Sequence, residues 1–296
     1  MAQSRTKTVL VTGCTPGGIG AALCEEFRRR GFHVLATVRT PSKAASLSSS
    51  KPANGSSEGW IEVLPLDVTS KESIEKCKAQ LKTNGIDGLD VLVNNAGGIA
   101  GGGPILDMNI EESKKMFDVN VWGLLAVTQA FAPLLMDRKG CILNICSVAG
   151  ALKLAWQGGY NASKAAATFL SETLRIEVEP LGLRVVTAMV GEVQSQIWQQ
   201  GDSYKLPEGS YYKSVERFIV DQMEGKKQAK EEPTETVAKS LVDDVLSGMS
   251  GQTWRGGQAG AAKNALRFVP SKLFPGPRSA EPVACKKVDI HCVVVI

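Results

Sequence analysis

The chain has 296 residues and 31.5 kDa, with 43% hydrophobic residues and a formal charge of +4. That is enough for one large α/β domain with a sizeable core, and the small charge argues against a nucleic-acid partner, with Arg28-Arg29-Arg30 and Lys226-Lys227 reading as solvated helix faces. Seven cysteines without a Cys-x-x-Cys pair, beside two histidines, give no metal-ligand spacing and fit reduced thiols.

Thr8 to Thr12 is a short apolar, β-branched run and reads as a buried strand. No signal peptide precedes it, and no apolar run approaches the roughly 20 residues a membrane helix needs, so a cytoplasmic location is the default. Gly13-Cys14-Thr15-Pro16-Gly17-Gly18-Ile19-Gly20 follows directly, and a helical pattern then runs from residue 19 to Arg30 and stops at Gly31. Strand, glycine turn and helix form the first half of a dinucleotide-binding unit. The glycines let backbone approach a pyrophosphate, whose charge sits at the helix N-terminus.

The second strand, 33–38, chooses the nucleotide. A carboxylate at its end would bind the ribose 2′-hydroxyl of NAD, whereas a cation there suits the 2′-phosphate of NADP. The strand ends Val38-Arg39-Thr40 with no acid. Arg39 can fork onto a phosphate, with Thr40 as a second contact, so NADPH is the expected cofactor. Residues 41–59 are rich in Ser, Lys, Gly and Asn and read as a mobile surface connection.

Further strands are expected near 61–65, 90–94, 141–146 and 184–190, and helices near 70–83, 111–136, 161–179 and 234–248. Such alternation gives the fold class: α/β, a single doubly wound Rossmann-like domain over residues 1–278, with a parallel sheet and helices on both faces. Ligands in such sheets bind beyond the carboxyl ends of the strands. Asn94, Ser147 and Gly191 fall there.

Tyr160-Asn161-Ala162-Ser163-Lys164 puts a phenol and an ammonium one helical turn apart. A nearby cation favours the phenolate and draws a tyrosine pKa down from about 10. Such a pair can give a proton to a carbonyl oxygen or take one from an alcohol.

With these motifs in order and spacing, the chain resembles the short-chain dehydrogenase/reductase family over roughly residues 7–195. The motifs are Thr12-Gly13 to Gly18-Ile19-Gly20, Asp67-Val68, Asn94-Asn95-Ala96-Gly97, Asn120, Ser147 and Tyr160 to Lys164. Trp254-Arg255-Gly256-Gly257 and Phe268-Val269-Pro270 are similar to a subgroup, the fungal NADPH-dependent 1-acyldihydroxyacetone-phosphate reductases. The resemblance implies Tyr160 as general acid and Lys164 as its partner and a ligand of the nicotinamide ribose. Ser147 would hydrogen-bond the substrate carbonyl, and Asn120 would hold a water that links Lys164 to solvent. Gly13, Thr15, Gly18, Ile19 and Gly20 would cradle the pyrophosphate; Asp67 and Val68 would contact adenine. Asn94 to Gly97, including Asn95 and Ala96, would line the adenosine side, and Val193 and Ser195 the nicotinamide side. A homodimer or homotetramer through the long helices is implied, as is a peripheral association with endoplasmic reticulum or lipid droplets.

Three departures from the family pattern stand out. The glycine loop is one residue longer than usual, so Gly17 or Gly18 is extra. Val190-Gly191 stands where Pro-Gly is usual, which leaves the local backbone less fixed, and Ser195 stands where threonine is usual.

Residues 191–231 interrupt the regular pattern and read as a substrate lid. The apolar lid residues, among them Trp198, and Trp156 in the loop before Tyr160 suit a bulky apolar ketone. Lys153, Gln157, Gln194 and Lys205 are candidates for a polar end of the substrate. Residues 279–296 read as a tail. The function expected is NADPH-dependent reduction of a ketone, on a fungal natural-product intermediate or an acyl lipid, to a secondary alcohol. The alternative is an NADP-binding protein of the same scaffold that catalyses a non-redox step or acts as a regulator.

Overall fold

The computed structural model describes residues 5–52, 57–99, 102–195, 204–226 and 231–268. Among them nine strands run in chain order: β1 (Thr8–Thr12), β2 (His33–Val38), β3 (Trp60–Pro65), β4 (Val91–Asn94), β5 (Cys141–Ile145), β6 (Arg184–Val190), β7 (Val193–Gln194), β8 (Glu232–Pro233) and β9 (Gly251–Arg255). Seven form one parallel sheet in the order β3-β2-β1-β4-β5-β6-β9, and β7 pairs with β8 beside it. The order reverses between β1 and β4, which opens a crevice at their carboxyl ends. The expected α/β doubly wound fold is the one observed.

Side-chain alternation builds two core layers. Val9, Val11, Val91 and Val93 pack on one face, and Leu10 and Leu92 on the other, as a period of two requires. Helices α1 (Ile19–Arg29) and α7 (Thr234–Leu246) cover the first face through Leu23, Phe27, Val237 and Leu241. Helices α2 (Lys71–Thr83) and α4 (Leu124–Met136) cover the second through Ile74, Leu81, Phe131 and Leu135. The central strands β1, β2, β4, β5 and β6 are thus buried on both faces, which explains their nearly continuous apolar sequences.

The helix expected over 111–136 is three pieces in line: α3 (Ile110–Phe117), a π-helical stretch (Asp118–Gly123) and α4. By length and composition alone this 27-residue run passes for a membrane-crossing helix, since an 18-residue window within it has a mean hydropathy of 1.5. Its place explains the apolarity: Met116, Val121, Val127, Phe131 and Leu135 are buried in the domain. Helix α5 (Gly158–Val178) begins three residues earlier than expected, and β9, α6 (Glu216–Met223) and α8 (Ala259–Phe268) are additions. The connection after β2 is partly ordered as a 3-10 helix, Pro41–Leu47, anchored by the fully buried Ala44. The tail, 279–296, lies outside the described residues.

Candidate active site

The glycine loop and β4 are stitched together at the crevice. Thr12 Oγ1 accepts from the backbone N–H groups of Asn95 and Ala96, both at 3.0 Å, and the Asn95 amide donates to the carbonyls of Thr12 (2.8 Å) and Gly13 (2.9 Å). Gly13 has φ +71°, and a Cβ there would lie 2.8 Å from the Ala96 Cα, so only glycine fits. Thr15-Pro16-Gly17-Gly18 is a turn closed by Gly18 N–H to Thr15 O at 3.2 Å, with Gly17 at φ +79°. Proline second and a left-handed glycine third is the type II arrangement. The longer loop is therefore a compact turn, with Gly17 at its tip and Gly18 as the α1 N-cap.

Gly18 offers α1 no side-chain cap, and no acid occupies the first turn. The amides at that end keep their affinity for an anion. At the end of β2, Arg39 and Thr40 are exposed, and among the described residues Arg39 has no ion-pair or hydrogen-bond partner. A bare helix N-terminus, glycines under the approach and an unpaired guanidinium fit a dinucleotide with an extra phosphate.

Asp67 is half-buried and caps its own turn, its Oδ1 accepting from Thr69 N–H (2.9 Å) and Thr69 Oγ1 (2.7 Å). Val68 is buried against Gly123 of the π stretch. Asn94 points into the interior instead of lining the adenosine side, because its amide donates to Thr128 Oγ1 (2.9 Å) and Asn144 Oδ1 (2.8 Å).

The four catalytic candidates converge. Lys164, 7% exposed, donates from Nζ to the Ile145 carbonyl at 3.0 Å, two residues before Ser147, and sits 5.9 Å from the Tyr160 ring centroid. Asn120 lies within the π stretch. Its amide donates to Gly98 O (2.9 Å) and Ser163 Oγ (3.0 Å), and its Oδ1 accepts from Gly98 N–H (2.9 Å). Ser163 Oγ donates in turn to the Tyr160 carbonyl at 2.9 Å, which ties the two helices at the catalytic turn. Ser147 Oγ accepts from Ala149 N–H at 3.1 Å and so keeps its own proton to give. Gly150, just beyond, has no room for a Cβ because the Lys164 carbonyl carbon would be 2.8 Å away. A side chain at Gly97 would intrude 3.1 Å from Asn120 Oδ1 and 3.5 Å from Lys164 Nζ. Ser163 and Gly98 are site partners the sequence reading did not single out.

The backbone after β6 is well fixed despite Val190. Gly191 N–H donates to Arg255 O (2.9 Å), and Glu192 and Gly257 exchange bonds at 2.9 and 2.8 Å. Arg255 is itself held by a two-pronged pair with the buried Asp244. Pairing with β9 supplies the rigidity that a proline would otherwise give. Val193 is buried in the core and Ser195 is half-buried; Trp198 lies outside the described residues. Of the four polar substrate candidates, Lys153, Gln194 and Lys205 are exposed and only Gln157 is buried. Trp156 is half-buried with φ +61°, a left-handed conformation uncommon for a bulky residue.

Among the described residues no cluster of His, Cys, Asp and Glu could hold a metal ion. Cys14 and Cys146 are fully enclosed. Burial pushes the Cys146 thiol above its ordinary pKa, and Cys14 donates to the Val11 carbonyl at 3.2 Å, so both act as packing residues.

Residues 7–205 match the family model described as short chain dehydrogenase. Among curated proteins, the chain is 40% identical over 271 residues to the short-chain dehydrogenase cctT of Talaromyces islandicus, covering 90% of this chain and 92% of that protein. It is 36% identical over 221 residues to the NADPH-dependent 1-acyldihydroxyacetone phosphate reductase of Schizosaccharomyces pombe, covering 73% and 71%. Among solved structures, a short-chain dehydrogenase from Streptomyces avermitilis superposes with a TM-score of 0.76 at 28% identity, over 92% of this chain and 96% of that one.

Proposed function

Because this chain belongs to the short-chain dehydrogenases, an oxidoreductase family that acts with nicotinamide cofactors, we propose that it uses NADPH to reduce a bulky, largely apolar ketone to a secondary alcohol. The nicotinamide, when bound, supplies the hydride. The residues of the chain do the rest. Tyr160 gives its phenolic proton to the carbonyl oxygen as negative charge builds there, and Ser147, with its O–H free, donates to the same oxygen. Lys164 stands beside the ring, its ammonium pinned by the Ile145 carbonyl with two N–H groups left for the ribose. The Asn120 side chain is already bonded on three sides. In this reading Asn120, whose Oδ1 keeps one lone pair, holds the relay water that links Lys164 to solvent.

The observation that carries the reading is the chain of hydrogen bonds from Gly98 through Asn120 and Ser163 to the carbonyl of Tyr160, with Lys164 tethered behind Ser147. NADPH in preference to NADH rests on the unpaired Arg39 and on the absence of an acid beside it. The S. pombe relative, named as NADPH-dependent, supports it. The ketone belongs to an acyl lipid or to a fungal natural-product intermediate. The apolar residues exposed on the π stretch and α5, Trp122 (56%), Phe169 (79%) and Ile176 (64%), support a homodimer or homotetramer. We place the protein in the cytoplasm, with a peripheral association with endoplasmic reticulum or lipid droplets.

Loss of NADPH absorbance with a panel of acyldihydroxyacetone phosphate, long-chain 3-oxo compounds, steroids and polycyclic aromatic ketones tests the reading. Turnover with NADPH and little with NADH is the expected result. NADPH binding without oxidation by any ketone would sink it.

A further inference from the structure

Gly103 lies between two polar groups that have no partner among the described residues. Its N–H donates to the Trp156 carbonyl at 3.0 Å, and it forms a parallel bridge with Gln157, the N-cap of α5 and three residues before Tyr160. On its Cα side sits the lid residue Tyr204, whose Cζ lies 3.0 Å from where a Cβ would be and whose hydroxyl is closer still. Gly103 has φ +141°, so both the conformation and the approach of Tyr204 call for glycine.

Gln157 is only 5% exposed, yet its amide has no hydrogen-bond partner among the described residues. Neither amide atom is among the sealed polar atoms without a partner, so the remaining exposure of this residue includes the amide itself. A buried amide is ordinarily paired. One that is unpaired but open at its tip is available to a ligand. The Tyr204 hydroxyl is likewise without a partner among the described residues. Burial and the nearby Asp107 carboxylate raise its pKa, so the phenol stays protonated as a donor. The segment 204–226 is held in this place by Ser210 Oγ donating to Asp107 Oδ2 at 2.6 Å and by the Gln222 amide donating to the Ala155 carbonyl at 3.3 Å.

We propose that the Gln157 amide and the Tyr204 hydroxyl bind a second oxygen of the substrate, so that the enzyme selects oxygenated ketones over simple ones. This deepens the reductase reading above and rests on it. The second oxygen accepts hydrogen bonds from the amide and the phenol, at the entry of the turn that carries Tyr160. A hydroxyl, an ether or a second carbonyl meets that need. A ketone with only hydrocarbon at this point leaves both donors cut off from water and unpaired.

The test compares kcat/KM for 2-tetralone and its ring-hydroxylated isomers, with NADPH, in the wild type, Gln157→Leu and Tyr204→Phe. Both substitutions keep the approximate side-chain size, and NADPH affinity reports an intact fold. The expected result is a wild-type preference for at least one hydroxylated isomer, reduced about tenfold in each variant. No wild-type preference, or a preference that both variants keep, overturns the proposal. NADPH oxidation with a ketone of the panel above but with no tetralone also overturns the proposal, whereas no oxidation with either set means that the reductase reading itself fails.

Discussion

Ser147, Tyr160, Lys164 and Asn120 come from three separate segments, and each is fixed by a bond that leaves its chemically useful atom free. Ser147 spends a lone pair and keeps its proton; Lys164 spends one N–H of three. Tyr160→Phe removes only the proton donor. Its kcat is expected to fall about a thousandfold while NADPH still binds, as fluorescence titration would show. Arg39→Asp should reverse the nucleotide preference. KM for NADPH rises about tenfold or more and KM for NADH falls, because a charge-assisted contact becomes a repulsion. Equal KM values in the variant and the wild type would show that Arg39 does not read the 2′-phosphate.

Among the elements, the π stretch places Asn120 and is itself wedged against Val68 at Gly123. A Cβ on Gly123 would lie 2.7 Å from Val68 Cγ2 and 3.1 Å from the Asp118 carbonyl. Gly123→Ala is expected to cost about 1–3 kcal/mol of stability through overpacking and to lower kcat by displacing Asn120, which urea unfolding and steady-state rates would report. The sequence made β1, the glycine turn, β2 and the Tyr160–Lys164 turn legible because each pairs a strict pattern with a chemical requirement. The π stretch was invisible, since its apolar spacing continues that of the flanking helix. The true start of α5 was hidden by Gly158-Gly159, poor helix formers that are required because Ile105, Met108 and Met116 pack where side chains would be. Strand β9 escaped notice because Gly251-Gln252-Thr253-Trp254-Arg255 is short and polar, and its partner β6 lies far back in the chain.

For the whole molecule, the sheet and the helices packed on its two faces keep the five described cysteines out of water. Burial pushes the thiols of Cys77 and Cys141 up to about 11. As pH rises past the ordinary thiol range, the unfolded chain loses these protons while the folded one holds them. Stability therefore falls with rising pH, by about 1.4 kcal/mol per pH unit for each thiol, until the folded thiols ionise as well. Urea unfolding between pH 8 and 10.5 should show the decline, with a smaller slope in Cys77→Ala. An identical slope in that variant would place the proton release elsewhere.

The position of β9 also sets an order of assembly. A ribosome delivers the chain from its N-terminus, so β1 to β6 emerge while the partner of β6 is still unmade. Until Gly251–Arg255 arrives, the outer edge of Arg184–Val190 is a row of unpaired amides and carbonyls on an apolar strand, the kind of surface on which nascent chains pair with one another. The same late arrival brings the carbonyls that hold Gly191 and Glu192. The site therefore closes only when nearly all of the domain has been synthesised, and a chain stopped at residue 250 is expected to aggregate instead of accumulating as a weak enzyme.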